Sequence, residues 1–254
     1  ALVASGDLDQ TGVVYNPYQP IREPVRVLAL IEEGDSMEQA QVGDEVDVLF
    51  PKTWFYVEAG GQVSDTGRIV SAEGEKWAIR VTSMRKPAAG VIVHRGEVVR
   101  GQPKVGDMAL IQVDQERRVQ IQRNHTATHL LHAALHEVLG EHARQAGSLV
   151  APDRLRFDFT HPEPMTREEI LAVEAHVNDA ILADYRLNIK EKPLQEAIDE
   201  GAMALFGEKY EAVVRTITIG DEERLSYELC GDPHVYEPGE IGLYLVTYES
   251  IIAA

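Results

Sequence analysis

The sequence has a single cysteine, Cys230, and no long apolar run. One cysteine cannot form an internal disulfide, so oxidising export is not implied and the reducing cytoplasm is the expected location. A membrane-spanning helix needs roughly 20 apolar residues in succession, and no stretch of the chain comes close. Nothing at Ala1 resembles a signal peptide. We therefore expect a cytoplasmic protein with no membrane partner.

Basic residues are also scarce. The chain has 24 Lys and Arg residues against 42 Asp and Glu residues, which gives a formal net charge of −18. A protein that binds nucleic acid alone usually presents a basic face, because phosphate neutralisation supplies much of the affinity. This chain as a whole does not. Any polyanion that it handles would need a local basic strip or another domain to deliver it.

The first half of the chain has the pattern of a small β-structure. Residues 1–24 are weakly patterned and predict an arm or irregular lead-in. Short β-like runs separated by Gly-Asp turns then follow, at residues 25–31, 45–50 and 77–81. This spacing predicts a small β-barrel or sandwich over residues 25–112.

The second half, residues 113–254, mixes helices with strands. Apolar periodicity predicts one long helix over residues 117–139, with Gly140 as its stop. A capping box at Thr166 and Glu169 predicts a second helix to about Asp184. Alternation predicts strands at residues 154–159, 213–219, 224–229 and 243–248. We expect an α+β fold, with long helices packed on a mostly antiparallel sheet after the barrel.

Two short motifs a hundred residues apart offer metal ligands. His125 and His129 are four residues apart on the predicted long helix, and therefore lie on one face of it. Cys230 and His234 have the same spacing across a turn that contains Gly231 and Pro233, which would bring both side chains toward one point. Together they form a Cys-His₃ set suited to zinc.

Spacing alone leaves alternatives open. His132 and His136 lie on the same helical stripe with the same spacing, and any single histidine there is more often part of a polar or partly buried face. Cys230 has two rival interpretations, a small buried hydrophobic residue and a catalytic thiolate paired with His234.

A glycine-containing loop is the other local signal. Gly60, Gly61 and Gln62 are interpreted most simply as a flexible β-turn. The functional interpretation is a loop whose bare backbone lets a ligand approach closely, which makes these three residues substrate-binding candidates.

Five segments, in order along the chain, resemble the editing region of bacterial alanyl-tRNA synthetase and the related AlaX deacylases. They are residues 53–62 with Asp65, Thr66 and Gly67; Arg123–His132; Gln145–Val150 followed by Leu155–Phe159; Gly201–Tyr210; and Glu228–Gly231 with His234 and Val235. This co-linearity is far more specific than either four-residue motif.

The resemblance selects His125, His129, Cys230 and His234 as the zinc ligands. It implies hydrolysis of Ser-tRNA(Ala) and Gly-tRNA(Ala), with the mischarged acceptor end of tRNA as the partner. We expect Gln145 and Thr53 to place water and read the serine hydroxyl. We also expect the chain to be a piece of a longer synthetase, which would supply the aminoacylation domain and most tRNA contacts.

This copy departs from the family pattern in the second motif. The usual run is Cys-Gly-Gly-Thr-His, whereas Asp232 and Pro233 stand here, and Tyr227 stands where arginine is expected. Proline removes a backbone donor, so substrate binding by this turn, for which Asp232 is a candidate, would change.

Two other functions are considered. One is a non-catalytic module with structural zinc that positions the tRNA acceptor end. The other is the similar editing domain of threonyl-tRNA synthetase, which the loop of residues 55–62 argues against.

Overall fold

The structure is a computed structural model that describes residue 6 and residues 8–204, 210–221 and 224–251. The described residues form two compact units. The first comprises the chain up to Ala59 together with Val63–Arg118, and the second comprises Gly60–Gln62 and the chain from Val119 onward. The predicted domain limits at residues 24 and 112 stay a prediction.

The described part of the first unit is built from strands. In chain order they are β1 (Val14–Tyr15), β2 (Val25–Arg26), β3 (Ala29–Glu32), β4 (Asp35–Met37), β5 (Glu45–Leu49), β6 (Lys52–Thr53), β7 (Gly67–Ser71), β8 (Ala78–Ala88), β9 (Val91–Arg100) and β10 (Met108–Val113). The strands predicted at residues 25–31, 45–50 and 77–81 are confirmed as elements, with the first of them divided between β2 and β3.

Eight of these strands form one curled antiparallel sheet in the order β2-β10-β7-β8-β9-β5-β3-β4. Along β5, Val46 and Val48 are buried while Glu45 is exposed, so one face of the sheet encloses an apolar core. Among the described residues, no ladder joins the end strands β2 and β4. The antiparallel sheet is therefore present, and its closure into a barrel stays a prediction.

Two polar groups are buried within the first unit. Arg118 forms an ion pair with Asp65 and donates to the carbonyl oxygen of Trp54 at 2.7 Å. His94 is fully buried, with Nε2 2.8 Å from Thr53 Oγ1 and Nδ1 3.3 Å from the carbonyl oxygen of Val48. These contacts give the buried side chains of Arg118 and His94 the hydrogen-bond partners that buried polar atoms need.

The second unit mixes helices with short sheets. Its elements are α1 (Gln115–Leu139), whose first four residues belong to the first unit, β11 (Gln145–Val150), β12 (Leu155–Phe159), α2 (Arg167–Ala183), β13 (Asn188–Pro193), α3 (Leu194–Asp199), β14 (Val213–Gly220), β15 (Arg224–Leu229) and a 3₁₀ turn (Pro238–Ile241). Strands β11 and β12 pair antiparallel, as do β13, β14 and β15 in that order.

Both predicted long helices are confirmed. Helix α1 begins two residues earlier than expected, because the Asp114 side chain accepts a hydrogen bond from the Arg117 backbone N–H at 3.0 Å. It ends before Gly140, whose φ of +104° is a conformation that favours glycine. Helix α2 opens on the predicted capping box of Thr166 and Glu169.

The predicted strand over residues 243–248 is wrong. Among the described residues the segment pairs with no strand; instead the side chain of Asn178 on α2 bonds both backbone groups of Tyr244. Glu174 on the same helix accepts the N–H of Val246 at 2.6 Å. Burial does alternate along the segment, since Tyr244 is buried and Leu243 and Leu245 are exposed. The buried residue, however, contacts helix α2 and not a neighbouring strand.

The larger of two apolar cores described in the second unit packs its helices on β14. It joins residues of α1, α2 and β14, including Leu131, Leu135, Val177, Ile217 and Ile219. The α+β class is therefore consistent with the structure. Residues 205–209, within the predicted family segment 201–210, lie outside the described residues. None of the described helices combines the length and apolar character of a membrane span.

Candidate metal centre

Two distant parts of the chain meet in the second unit. Helix α1 carries His125 and His129 on one face, and Cys230 follows directly after β15 with His234 four residues on. One ligand atom from each of these four residues lies within 4.8 Å of the others. The rings of His125 and His234 have centroids 4.5 Å apart, and those of His129 and His234 are 4.8 Å apart.

Two of the distances between donor atoms fit a tetrahedral zinc ion. Cys230 Sγ is 3.3 Å from His234 Nε2 and 3.6 Å from His125 Nε2. With zinc bonds of about 2.3 Å to sulfur and about 2.0 Å to nitrogen, neighbouring S and N ligands should be about 3.5 Å apart. A buried thiol among three imidazoles is also the donor chemistry that zinc prefers.

The outer nitrogens of two histidines have partners that leave Nε2 free for a metal. His125 Nδ1 donates to Gln62 Oε1 at 2.6 Å, and Asp232 Oδ2 lies 3.4 Å from the same nitrogen. His234 Nδ1 lies 3.2 Å from Thr126 Oγ1. Such partners set the tautomer and direction of a ligating histidine.

The altered turn between Cys230 and His234 is held by its backbone. Arg215 Nη1 donates to the carbonyl oxygens of Cys230 at 3.0 Å and Asp232 at 2.7 Å. Because these contacts use carbonyl groups, the amide that Pro233 lacks plays no part in them. The ligand positions are therefore compatible with Asp232 and Pro233.

Burial and neighbouring charges shift the ionisation of this cluster. Burial lowers the pKa of His125 and His234 well below the usual histidine value, so both are neutral and able to donate a lone pair. Burial also lowers the pKa of His129, but the Glu228 carboxylate and the Cys230 side chain outweigh it and raise that pKa well above the usual value.

Cys230 does not have the environment of a free nucleophile. Burial raises the pKa of the thiol, and the nearby Asp232 carboxylate raises it further. Reactive cysteines have a lowered pKa, which keeps the thiolate populated. A bound cation would supply the missing stabilisation of the thiolate, so the environment favours a metal ligand over a catalytic thiolate.

The rival pair of histidines has a different setting. His132 is buried, with Nδ1 3.4 Å from Glu228 Oε1 and its ring against Phe157. Its ring centroid is 4.5 Å from that of His136. Within the described residues, these two belong to no group of three or more potential ligands.

Known proteins resemble the chain along almost its whole length. A family model described as tRNA synthetases class II (A) matches residues 6–117. The alanine–tRNA ligase of Roseiflexus castenholzii is 44% identical over 99% of the chain, and that of Thermus thermophilus is 48% identical over 93%. That of Chloroflexus aurantiacus is 43% identical over 98%.

The chain belongs to the alanyl-tRNA synthetase family. It spans about 30% of the Roseiflexus castenholzii enzyme and 27% of the Thermus thermophilus enzyme. The predicted family is thus confirmed. The reactions of these longer enzymes come to this chain only as proposals.

In this family member the glycine loop packs against its own unit. Gly61 has a φ of +84°, and a Cβ there would lie 2.6 Å from the carbonyl oxygen of Ser148. This close approach to β11 accounts for the missing side chain without a ligand. Gln62 forms a bridge with Val150 of β11 and contacts His125. Substrate binding by Gly60, Gly61, Gln62 and Asp232 stays a prediction.

The two catalytic candidates lie in different units. Gln145 is half-buried at the start of β11, and among the described residues its side chain has no hydrogen-bond partner. Thr53 is buried in the first unit, where its hydroxyl contacts His94 and accepts the Phe55 backbone N–H at 3.2 Å. Their catalytic roles stay predictions.

Sequence reasoning missed Glu228, although a signal for it was present. Ser226, Glu228 and Cys230 alternate along β15 and beyond it, so they share one face. Because Cys230 was already a candidate ligand, the residue two positions before it should also face the site. A buried carboxylate beside these candidate ligands should have a partner among them, because an unpaired buried charge is costly.

Proposed function

We propose that the chain carries a zinc-dependent editing site that hydrolyses Ser-tRNA(Ala) and Gly-tRNA(Ala) in the cytoplasm. The observation that carries this proposal is the convergence of His125, His129, Cys230 and His234, with zinc-like spacing, in a member of the alanyl-tRNA synthetase family. The tRNA acceptor end would be delivered with help from the rest of a longer synthetase, which relieves the difficulty posed by the net charge of −18.

The reaction needs few groups. Water adds to the ester carbonyl, the bond to the ribose oxygen breaks, and the free amino acid and tRNA leave. When bound, zinc would supply positive charge that orients the substrate. If all four side chains held the ion, they would leave no fixed position for a hydroxide. Gln145, in the same unit as the cluster, would then place the water. Thr53 lies in the other unit, and its role in reading the serine hydroxyl stays a prediction.

A polar group that binds the serine hydroxyl would also exclude alanine from the editing site. A site that hydrogen-bonds a hydroxyl strongly rejects a substrate without one, because its buried polar groups are left unpaired. Rejection of Ala-tRNA(Ala) by this route would require such a polar group beside the bound amino acid. Hydrolysis of Gly-tRNA(Ala) would depend instead on the small size of glycine.

Deacylation by the purified chain tests the proposal. We expect zinc at one equivalent, hydrolysis of Ser-tRNA(Ala), and loss of at least about tenfold in kcat/KM for His125→Ala and Gln145→Ala. His176→Ala, which removes an exposed histidine of α2, serves as the matched control and should retain full activity. Full activity in His125→Ala, or in zinc-free protein, would contradict the metal's role.

A second candidate function is supported by the number of candidate ligands, which is four. Four protein ligands are typical of structural zinc, which would make the unit a non-catalytic module that positions the acceptor end. It predicts that the parent chain binds zinc and folds but leaves Ser-tRNA(Ala) intact, at concentrations where it binds the tRNA.

A further inference from the structure

A buried carboxylate lies directly behind the metal cluster. Glu228 is only 4% exposed and sits two residues before Cys230, on the face of β15 that meets α1. Its Oε2 is 3.0 Å from His129 Nδ1, and its Oε1 is 3.4 Å from His132 Nδ1. The Ser226 hydroxyl donates to the same Oε1 at 3.0 Å.

Burial makes the partners of this group decisive. A carboxylate removed from water is retained only where good partners face its oxygens. Here His129 Nδ1, His132 Nδ1 and the Ser226 hydroxyl face them.

Glu228 stands at the outer nitrogen of His129, where the neighbouring histidines have other partners. His125 has Gln62 and Asp232 at its outer nitrogen, and His234 has Thr126. For His129, Glu228 is the acceptor within reach among the described residues. Nδ1 of His129 is close enough to Glu228 Oε2 for a hydrogen bond, but the ring is not oriented for one. The χ2 torsion of histidine is soft, so a small turn of the ring aligns it.

We propose that Glu228 is the positioning residue of this metal centre: it accepts the Nδ1–H of His129 and thereby directs Nε2 of that ring to the metal. The inference rests on the zinc site of the proposed function. A carboxylate in this place also makes the ring a stronger donor, because partial proton transfer raises its electron density.

The same carboxylate explains why two equivalent histidine pairs are used differently. His132 is one helical turn beyond His129, and both rings present Nδ1 to Glu228. Cys230, however, lies on the His129 side of the carboxylate, so only the first pair faces the thiol. Glu228 thus separates the ligating part of the histidine stripe from the non-ligating part.

Zinc affinity tests this role without reference to catalysis. The dissociation constant would be measured by competition with a chromophoric chelator for the parent, Glu228→Gln, Glu228→Ala and the control Glu174→Gln. Glu174 is also a half-buried carboxylate of the second unit, but it bonds the Val246 N–H. We expect about tenfold weaker zinc binding for Glu228→Gln, about a hundredfold for Glu228→Ala, and no change for Glu174→Gln.

A second measurement needs no substitution and so is independent of folding defects. In ¹⁵N-labelled, zinc-loaded parent, the imidazole resonances of His129 should show a protonated Nδ1 and a metal-bound Nε2. Zinc on Nδ1 of His129 would overturn the proposal, as would parent-like zinc affinity in both Glu228 variants.

Failure of this inference can be told apart from failure of the proposed function. If the parent binds zinc with the expected His129 tautomer but does not deacylate Ser-tRNA(Ala), the positioning role stands and editing falls. If the parent deacylates while Glu228→Ala binds zinc as tightly as the parent, the positioning role alone falls. A parent that binds no zinc overturns both.

Discussion

At the scale of single residues, the buried polar side chains lead to the most specific predictions about stability. His94 in the first unit is an example, because burial lowers its pKa to about 4. The carbonyl oxygen of Val48 accepts from Nδ1, so neutral His94 presents a lone pair at Nε2 to the Thr53 hydroxyl. Thr53 then donates to His94 and retains its acceptor capacity.

His94 should make stability depend on pH. Its folded pKa lies below the unfolded value near 6.5, so the unfolded chain binds the extra proton as pH falls. Stability is full above pH 6.5 and is lost progressively toward pH 4, by about 3 kcal/mol. The stability difference between parent and His94→Gln should shrink by this amount across that window, measured by urea unfolding. Trp54 and Trp77, the two tryptophans, report on the first unit. A constant difference would contradict the assignment.

The buried pair of Arg118 and Asp65 should be costly to break. Asp65→Ala leaves a guanidinium in the core without its counter-charge, and we expect a loss of about 3–5 kcal/mol in the free energy of unfolding. Glu97→Ala, which breaks the exposed pair with Arg80, is the control and should cost less than about 1 kcal/mol. Equal losses in tryptophan-monitored unfolding would show that burial does not decide the outcome.

At the scale of elements, helix α2 takes the place of a neighbouring strand. The Asn178 side chain bonds both backbone groups of Tyr244, and Glu174 accepts the N–H of Val246. The segment of residues 243–248 is therefore held in place by side chains of one helix. That is a weaker constraint than a sheet ladder, in which every second residue is bonded to a backbone.

Asn178→Ala should loosen this segment selectively. We expect amide hydrogen exchange at Tyr244 to accelerate at least about tenfold, since a lost hydrogen bond of about 1.4 kcal/mol corresponds to that factor. Asp179→Ala, an exposed neighbour on the same helix, should leave exchange unchanged. If Tyr244 exchanges at the parent rate in Asn178→Ala, packing of its ring and not the helix side chain holds the segment.

At the scale of the whole molecule, charge limits how the chain can meet tRNA. With a net charge of −18, long-range forces repel a polyanion, and only a local contact can bind it. This agrees with a role in which other parts of a longer enzyme deliver the acceptor end.

The charge predicts weak tRNA binding by the isolated chain, with a shallow dependence on salt. The slope of log K against log salt should correspond to no more than about three neutralised phosphates. Fluorescence anisotropy with labelled tRNA(Ala), between low and moderate salt, measures this slope, with a tRNA lacking the acceptor CCA as the control. A slope equivalent to about six or more phosphates would reveal a basic surface that net charge conceals.

Local patterns in the sequence were enough to determine the two long helices, about half of the strands and the placement of His125 and His129 on one face, because these depend on periodicity and capping. Periodicity failed at residues 243–248, since alternation reports a buried face but not whether a strand or a helix covers it. Periodicity also could not predict whether the sheet closes into a barrel, because it does not report which strands pair.

The sequence by itself determined the kind of ligands, the family and the α+β class, because donor type, segment order and hydrophobic period are local properties of the chain. Only the tertiary structure decided that Glu228 stands behind His129, and it gives the physical reason why His125 and His129, which the resemblance selects and helical spacing does not, meet Cys230. His125 and His129 have the same spacing as His132 and His136, so helical geometry treats both pairs alike. The position of β15 against α1 distinguishes them, and that position depends on packing between residues a hundred apart.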